Sequence, residues 1–502
     1  MRDTLRQSVW LRLLPVLFAL TAAAPAFATL AERVSTAVLT LPEPLAASAS
    51  NWGTWGSATF TPRLYLAPAT ATRDWVGWTD AGGDGHVSRV DFGVFLLTDD
   101  FNGQPIGGLV SLGAESYAVL VRDTATGTAR VLRRMSGTMW STPLVSAFAV
   151  PTDAVGDSRL AYGNGTFVAR LSMLGTSSPY AGHYGEQCLI LNDAGAVLAG
   201  GWPWGASHQI GALAAVHEQT GQVLTLGTSD CYPSPGILAG QQQLLHPAFN
   251  DCAGRVSVNL GQMVATPGGW LVAFNGLTNG AYTGHGVGLL HLDAALNTTV
   301  SWLTATSGAD ERDPVLARIG IPFTSNRYLT GWRNAATGEF RLAVIDAAGT
   351  FVEAPEVVST AGIGWGTRDD SFRTAPDGSV RWLEGQGGAT TLELHTFYGY
   401  VSGAPLPAFA APTLAPNVPN PFNPSTMIAF ELPVETTATL TVHDLSGRLL
   451  RTLLPAAVRE AGHHEVTWNG RDERGGALPA GVYVARLAVD GTIASVRMTL
   501  LK

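Results

Sequence analysis

Charge and cysteine are both scarce in this sequence. Charged residues make up 14% of the 502 positions and hydrophobic residues 46%. A disordered chain has the opposite balance, so a packed globular protein is expected. The formal net charge is -9, and the basic residues gather into no stripe or cluster. That speaks against nucleic acid as a partner and against a membrane surface. Beyond the N-terminus no apolar run approaches the roughly 20 residues of a membrane helix, so no transmembrane segment is expected. No C-x-x-C is present, which leaves a zinc ribbon or a thioredoxin-type site without support. The G-x-S-x-G elbow, H-E-x-x-H, a phosphate loop and an intact S-x-D-x-G-x-T-W box are missing as well. Long amphipathic helical patterns are also absent. With 58 Gly and 29 Pro, the chain reads as turn-rich and all-β.

What is present begins at the N-terminus. Arg2, Arg6 and Arg12 precede the short apolar run Leu13-Leu14-Pro15-Val16-Leu17-Phe18-Ala19-Leu20, and Ala26-Phe27-Ala28 follows. This is the layout of a secretory signal peptide with a small-x-small cleavage site, so residues 1–28 are expected to be removed near Ala28. Residues 29–44 then form an N-terminal extension. Export permits disulfides. Of the three cysteines, Cys231 and Cys252 flank a short loop and are the expected pair; its closure could contribute on the order of 3 kcal/mol. Cys188, in the apolar run Cys188-Leu189-Ile190-Leu191, reads as a buried small hydrophobe.

A Pro/Ala-rich linker, residues 404–415, separates two regions of different pattern. After it come Pro419-Asn420-Pro421-Phe422-Asn423-Pro424-Ser425-Thr426 and a series of alternating runs. These are Ile428–Leu432, Ala438–Asp444, Leu449–Leu454, His464–Trp468, Gly481–Leu487 and Ser495–Leu501. Polar turns such as Asn469-Gly470-Arg471-Asp472-Glu473-Arg474-Gly475-Gly476 join them. Short strands linked this way make a small sandwich. Residues 416–502, with their PNPFNPST, WNGRDERG and LPAGVYVARL segments, resemble the FlgD-like Ig fold used as a type A C-terminal sorting domain in type IX secretion. The resemblance implies recognition by an outer-membrane secretion translocon, attachment to the cell surface, and no catalysis.

The middle of the chain carries a weak repeat of about 45–60 residues. A Gly or polar turn leads into an apolar strand with an aromatic residue at Gly165–Arg170, Pro267–Phe274, Asn326–Trp332 and Pro376–Trp382. Weaker copies are read at Arg63–Leu66, Ser116–Leu120 and Gly211–Val216. A second element is an apolar strand ending in an Asn or Asp turn, as at Leu189–Gly195, Leu289–Ala295 and Leu342–Gly349, with Val119–Asp123 similar. Strand and turn at this period suit propeller blades, each burying its faces against its neighbours. Residues 45–403 are therefore read as one β-propeller of about seven blades. Six or eight blades also fit, and two β-sandwiches in series are the alternative.

Chemistry is harder to place. Asp80, Asp84 and Asp91 fall at positions 1, 5 and 12 of a loop resembling an EF-hand or dockerin site, with Gly85 at 6, and would offer hard oxygen ligands to calcium. Gly82 at position 3 and the short arm of Asp91 depart from that pattern. Gly85-His86, Gly182-His183 and Gly284-His285 recur about 100 residues apart, either as turns introducing a blade strand or as a set converging on the axis. Asp310-Glu311-Arg312-Asp313 and Arg368-Asp369-Asp370 are dense acidic groups, and their one-blade spacing favours structural Arg–Asp pairs. Trp52, Trp55, Trp75, Trp78, Trp202, Trp204, Trp365 and Trp382 would either stack on sugars or pack between blades.

The function expected from these readings is that of a secreted, surface-displayed propeller binding a glycan or protein ligand. The alternative is a secreted propeller hydrolase or lyase acting on an extracellular polymer.

Overall fold

The computed structural model describes residues 29–46, 64–399 and 413–501. It leaves out 92, 124–127, 135–144, 150–154, 175–183, 202–208, 230–235, 240–241, 246–258, 278–284, 305–309, 321–324, 360–362, 366–370, 416, 433–435, 446, 460–461 and 490–491. The proposed signal peptide lies outside the described residues. No helix among those described is long and apolar enough to cross a membrane.

The chain is all-β. Among the described residues, seven four-stranded antiparallel sheets form a β-propeller. Blades 1 to 6 span 64–101, 106–149, 155–201, 209–245, 259–302 and 311–357, each with its strands in chain order. The first strand of every blade touches the first strand of the next, and that of blade 7 touches that of blade 1, so the first strands are the innermost and the ring is closed. Antiparallel order then fixes the two faces. The second-to-third and fourth-to-first connections open on one face, and the remaining hairpins open on the other.

Blade 7 is built from both ends of the propeller segment. Arg373–Thr374, Val380–Glu384 and Thr391–Phe397 supply its inner three strands. Its outer strand is Val34–Thr40, paired antiparallel from Val34 opposite Phe397 to Thr40 opposite Thr391. Residues 29–44 are thus not an extension outside the propeller. The segment alternates as a strand should, but its partner lies some 350 residues away, and no local pattern could reveal it. This pairing covers the edge that Thr391–Phe397 would otherwise present to solvent.

The aromatic signature belongs to the second strand of a blade. Trp75 and Trp78 (blade 1), Tyr117 (blade 2), Phe167 (blade 3), Trp270 and Phe274 (blade 5), Tyr328 and Trp332 (blade 6) and Trp382 (blade 7) are among the largest fully buried side chains. They fill the seams between neighbouring sheets, which pack face to face through mixed clusters from adjacent blades. The second strand of blade 4, Val223–Ser229, has no aromatic residue. The weaker copies of the repeat fall instead on inner strands, Gln209–Val216 in blade 4 and Leu64–Pro68 in blade 1. Val119–Asp123 is likewise part of a second strand, Ser116–Asp123, rather than a third.

The third strands carry the Asn/Asp turns. Asn192, Asp293 and Asp346 each accept two backbone N–H bonds through Oδ1: from Ala194 and Ala196, from Ala295 and Asn297, and from Ala348 and Thr350. Each closes the hairpin to an outer strand, which is why a short acceptor side chain recurs there.

The C-terminal region is a two-sheet sandwich. One sheet holds Thr413–Leu414, Thr426–Leu432 and Gly462–Trp468. The other orders Leu449–Arg459, Thr436–His443, Gly481–Val489 and Thr492–Leu500. The alternating residues Ile428, Phe430, Leu440, Val442, Tyr483, Ala485, Leu487 and Met498 meet Phe422 and Trp468 in one core. The Tyr483 hydroxyl donates to the Pro479 carbonyl at 2.6 Å.

Polar groups also cross the seams. Arg170 of blade 3 donates to the Leu213 and Leu226 carbonyls of blade 4, at 2.7 and 2.6 Å. At the closing seam Arg381 of blade 7 pairs with Asp74 of blade 1 at 2.8 Å; both side chains are 5% exposed, and Arg381 also reaches the Ala71 carbonyl. Arg381→Ala would strand a buried carboxylate, at a cost of about 3–5 kcal/mol. A lowered urea midpoint is the expected result, with most of it recovered when Arg381→Met is combined with Asp74→Leu.

Candidate functional site

The strongest polar constellation near the expected calcium loop lies where blade 1 meets the N-terminal segment. Residues 80–84 form the turn between the second strand, Arg73–Thr79, and the third, Gly85–Asp91. Asp80 organises that turn: its N–H donates to the Asp84 carbonyl, and its Oδ1 accepts from the Asp84 N–H, both at 2.9 Å. Gly83 adopts φ of 92°, open to glycine. At Gly85 a Cβ would lie 2.4 Å from the Gln104 carbonyl, so the following blade approaches too closely for any side chain.

The segment after the outer strand of blade 7 runs along this turn. Ala81 N–H donates to the Pro44 carbonyl and Ala46 N–H to that of Thr79, each at 2.9 Å. Glu43 is thereby brought to Asp80. His86, the second residue of the third strand, is stacked on Trp78 with ring centroids 5.0 Å apart. Its Nε2 lies 3.1 Å from Asp80 Oδ2 and its Nδ1 2.8 Å from Asp100 Oδ1. Donor atoms of Glu43, Asp80 and His86 all fall within 4.8 Å of one another.

The electrostatics are asymmetric. Glu43 is exposed; its carboxyl is raised from its ordinary value first by a hydrogen bond to Asp80 and then by the charge of Asp80. Asp80 is buried, and burial works against its charge. The Asp84 N–H, His86 and Glu43 together overcome that and hold it below the usual carboxylate range. The two carboxyls are thus pushed apart, that of Glu43 upward and that of Asp80 downward. Such a set can relay a proton or contribute oxygen and nitrogen ligands to a cation.

Of the residues expected to bind calcium, Asp80 and Asp84 share this turn, and Asp91 does not. Asp91 lies at the far end of Gly85–Asp91, six residues or about 20 Å away along a strand. Its carboxylate is taken by Arg73, at 2.7 and 2.9 Å, and by Arg89 at 2.7 Å. Asp84 instead accepts the Gly103 N–H. Half of the supposed ion loop is a β-strand, so the three acidic residues cannot surround one ion.

His86 and His285 stand at the start of third strands, in blades 1 and 5, and His285 Nδ1 faces Asp310 at 3.1 Å. The third strand of blade 3 starts at Tyr184, and His183 lies outside the described residues. His86 and His285 thus lie on third strands, two strands out from the innermost one. Asp310 and Asp313 pair with Arg312 and Arg333, at 2.8 and 2.7 Å, and Glu311 accepts from Thr304. Arg368, Asp369 and Asp370 lie outside the described residues, as do Trp52, Trp55, Trp202 and Trp204. Trp75, Trp78, Trp365 and Trp382 are buried in blade seams. Cys231 and Cys252 also lie outside the described residues. Cys188 is buried, and burial pushes its thiol up to about 11.

The family of FlgD Ig-like domains matches residues 421–492, within the C-terminal sandwich. No curated protein matches the chain. Among solved structures, the chain is similar to PorZ, described as an essential bacterial surface component of the type-IX secretion system of Porphyromonas gingivalis. Identity is 13% over 88% of this chain and 70% of that one, with a TM-score of 0.23. It is also similar to a fungal alcohol oxidase of the AA5 family in complex with copper, at 12% identity over 90% and 100% of the chains and a TM-score of 0.36. Oligopeptidase B from Leishmania major matches at 11% identity over 64% of this chain and 45% of that one, with a TM-score of 0.37. The roles of these proteins differ, and likeness this distant selects none of them.

The Asp91 cluster has a measurable acid signature. Burial opposes the charge of Asp91, but hydrogen bonds and charge from Arg73 and Arg89 more than offset it and hold its carboxyl below the ordinary value. Its stabilisation is therefore complete above the unfolded carboxylate range, at about pH 4, and is lost as pH falls through the lower folded value. Asp91→Asn should flatten that acid limb of the stability–pH curve while leaving calcium and chelator without effect on the difference; thermal melts from pH 2 to 7 would check it.

Proposed function

We propose that this protein is exported and displayed at the cell surface, where the propeller binds an extracellular ligand. The C-terminal sandwich serves as its address and anchor. The observation that carries the reading is the Ig-like sandwich of FlgD type at residues 421–492, joined to a ring-closed propeller. The PNPFNPST, WNGRDERG and LPAGVYVARL segments of that sandwich support recognition by an outer-membrane translocon. A propeller closed by its own termini offers a rigid frame with loops on both faces, the arrangement on which binding surfaces are commonly built. The N-terminal Arg-flanked apolar run and Ala26-Phe27-Ala28 support the first export step.

A second reading, an extracellular hydrolase or lyase, draws on the Glu43–Asp80 pair, where a carboxyl shifted upward faces one shifted downward. In that reading Glu43 is the general acid, and Glu43→Gln should abolish turnover of any polymer the protein cleaves. The binding reading expects ligand affinity to survive the same change.

Deleting residues 416–502 tests the address. The truncated propeller should accumulate in the periplasm, detected by fractionation, while the full chain reaches the surface. Unchanged delivery of the truncated form would remove the sorting role.

A further inference from the structure

Blade 7 holds a second group of metal-competent side chains, on the strands that close the ring. Glu384 and Glu393 stand directly opposite each other on the strands Val380–Glu384 and Thr391–Phe397. His395 lies two residues from Glu393, on the same face, opposite Trp382. Like charges placed directly across a strand pair repel, and no Arg or Lys ion pair with either carboxylate is present among the described residues.

The imidazole makes the arrangement specific. His395 is fully buried, with its ring stacked on Trp382 at 5.2 Å. Nδ1 is 2.8 Å from the Thr36 hydroxyl on the outer strand Val34–Thr40. The Thr36 hydroxyl can accept from Nδ1–H or donate to Nδ1, and in the first tautomer Nε2 carries the lone pair. That nitrogen is buried and has no hydrogen-bond partner, and it sits 3.5 Å from Glu384 Oε2 and 3.5 Å from Glu393 Oε2. In that tautomer the lone pair faces two carboxylates, and a cation between the three atoms would satisfy all of them. Two equal separations of this size approach the edge of a tetrahedron with bonds of about 2.0–2.1 Å, roughly 3.3–3.4 Å, which is the zinc geometry for His nitrogen and carboxylate oxygen. A hydrogen-bonded imidazolium would instead draw one oxygen to about 2.7–2.9 Å. Glu384 is further confined by Gly364, where a Cβ would come within 3.0 Å of both carboxylate oxygens. The blade 1 cluster differs in this respect, since both nitrogens of His86 already face carboxylates.

We propose that Glu384, Glu393 and His395 form a zinc-class transition-metal site, with Thr36 orienting the imidazole and a fourth position open to water beside the partly exposed carboxylates. A nitrogen ligand in this set favours zinc over calcium or magnesium. Because Thr36 belongs to the closing strand, metal binding and closure of the propeller are thermodynamically linked.

The test uses the untagged full-length protein, stripped with chelator and titrated with Zn²⁺ by calorimetry and with Co²⁺ by visible absorption. The expected result is one equivalent bound, with four-coordinate Co²⁺ bands and a melting temperature raised by Zn²⁺. Thr36→Val should weaken binding by about 10–100-fold, as removal of an outer partner usually does. Glu384→Gln with Glu393→Gln should abolish it. Both carboxylates are partly exposed, so this variant folds, and without metal it should melt above the native protein because the repulsion is gone. Failure of the native protein to bind Zn²⁺ or Co²⁺ at millimolar concentration would overturn the proposal. Undiminished binding by the double Gln variant would overturn it equally, by placing the metal elsewhere.

Discussion

The pairing of Val34–Thr40 with Thr391–Phe397 completes the last blade of the ring and ties the start of the propeller segment to its end. Each blade buries its faces only against its neighbours, so an open array would leave one apolar face uncovered on each of its two end blades. With the ring closed, blade 7 packs on blade 6 through Trp382, Phe372 and Phe397, and on blade 1 through Leu39, Leu383, Leu392 and Leu394. The buried Arg381–Asp74 pair crosses that last seam. A buried ion pair is weak evidence for net stability, but breaking one side of it is severe. Its placement at the closing seam suits a device that accepts only the correct neighbour.

The same pairing places the polar groups. Thr36 reaches His395 because the outer strand lies in register beside it. The chain then leaves that strand and runs past the blade 1 turn, which is how Glu43 comes to Asp80 and His86. The blade 1 cluster thus depends on the N-terminal segment being part of the propeller, and the blade 7 cluster takes its orienting hydroxyl from it. Each carries its own orienting partner for the imidazole, Asp100 for His86 and Thr36 for His395.

The strand-rich architecture was legible because burial follows simple periods. Gly165–Arg170, Pro267–Phe274, Asn326–Trp332 and Pro376–Trp382 all fall on second strands, where a large aromatic fills the seam. The Asn and Asp turns after Leu189, Leu289 and Leu342 were readable because the side chain bonds its own backbone a few residues on. Blade 4 was blurred, since Val223–Ser229 lacks the aromatic. The closing strand was invisible for a different reason: its alternation is local, but its partner is at the other end of the propeller segment. The calcium reading failed on register, because the loop spacing of Asp80 to Asp91 ignores that a strand begins at Gly85. The clusters at Glu43 and at Glu384 needed cross-strand register and chain path, which no spacing rule supplies.

Removal of the closing strand tests this account most directly. A chain beginning at Leu41 should lose hydrogen-exchange protection throughout Val380–Glu384 and Thr391–Phe397, and the propeller should melt at a markedly lower temperature. Native protection of those two strands together with an unchanged melting temperature would contradict the account, because the ring would then close without Val34–Thr40.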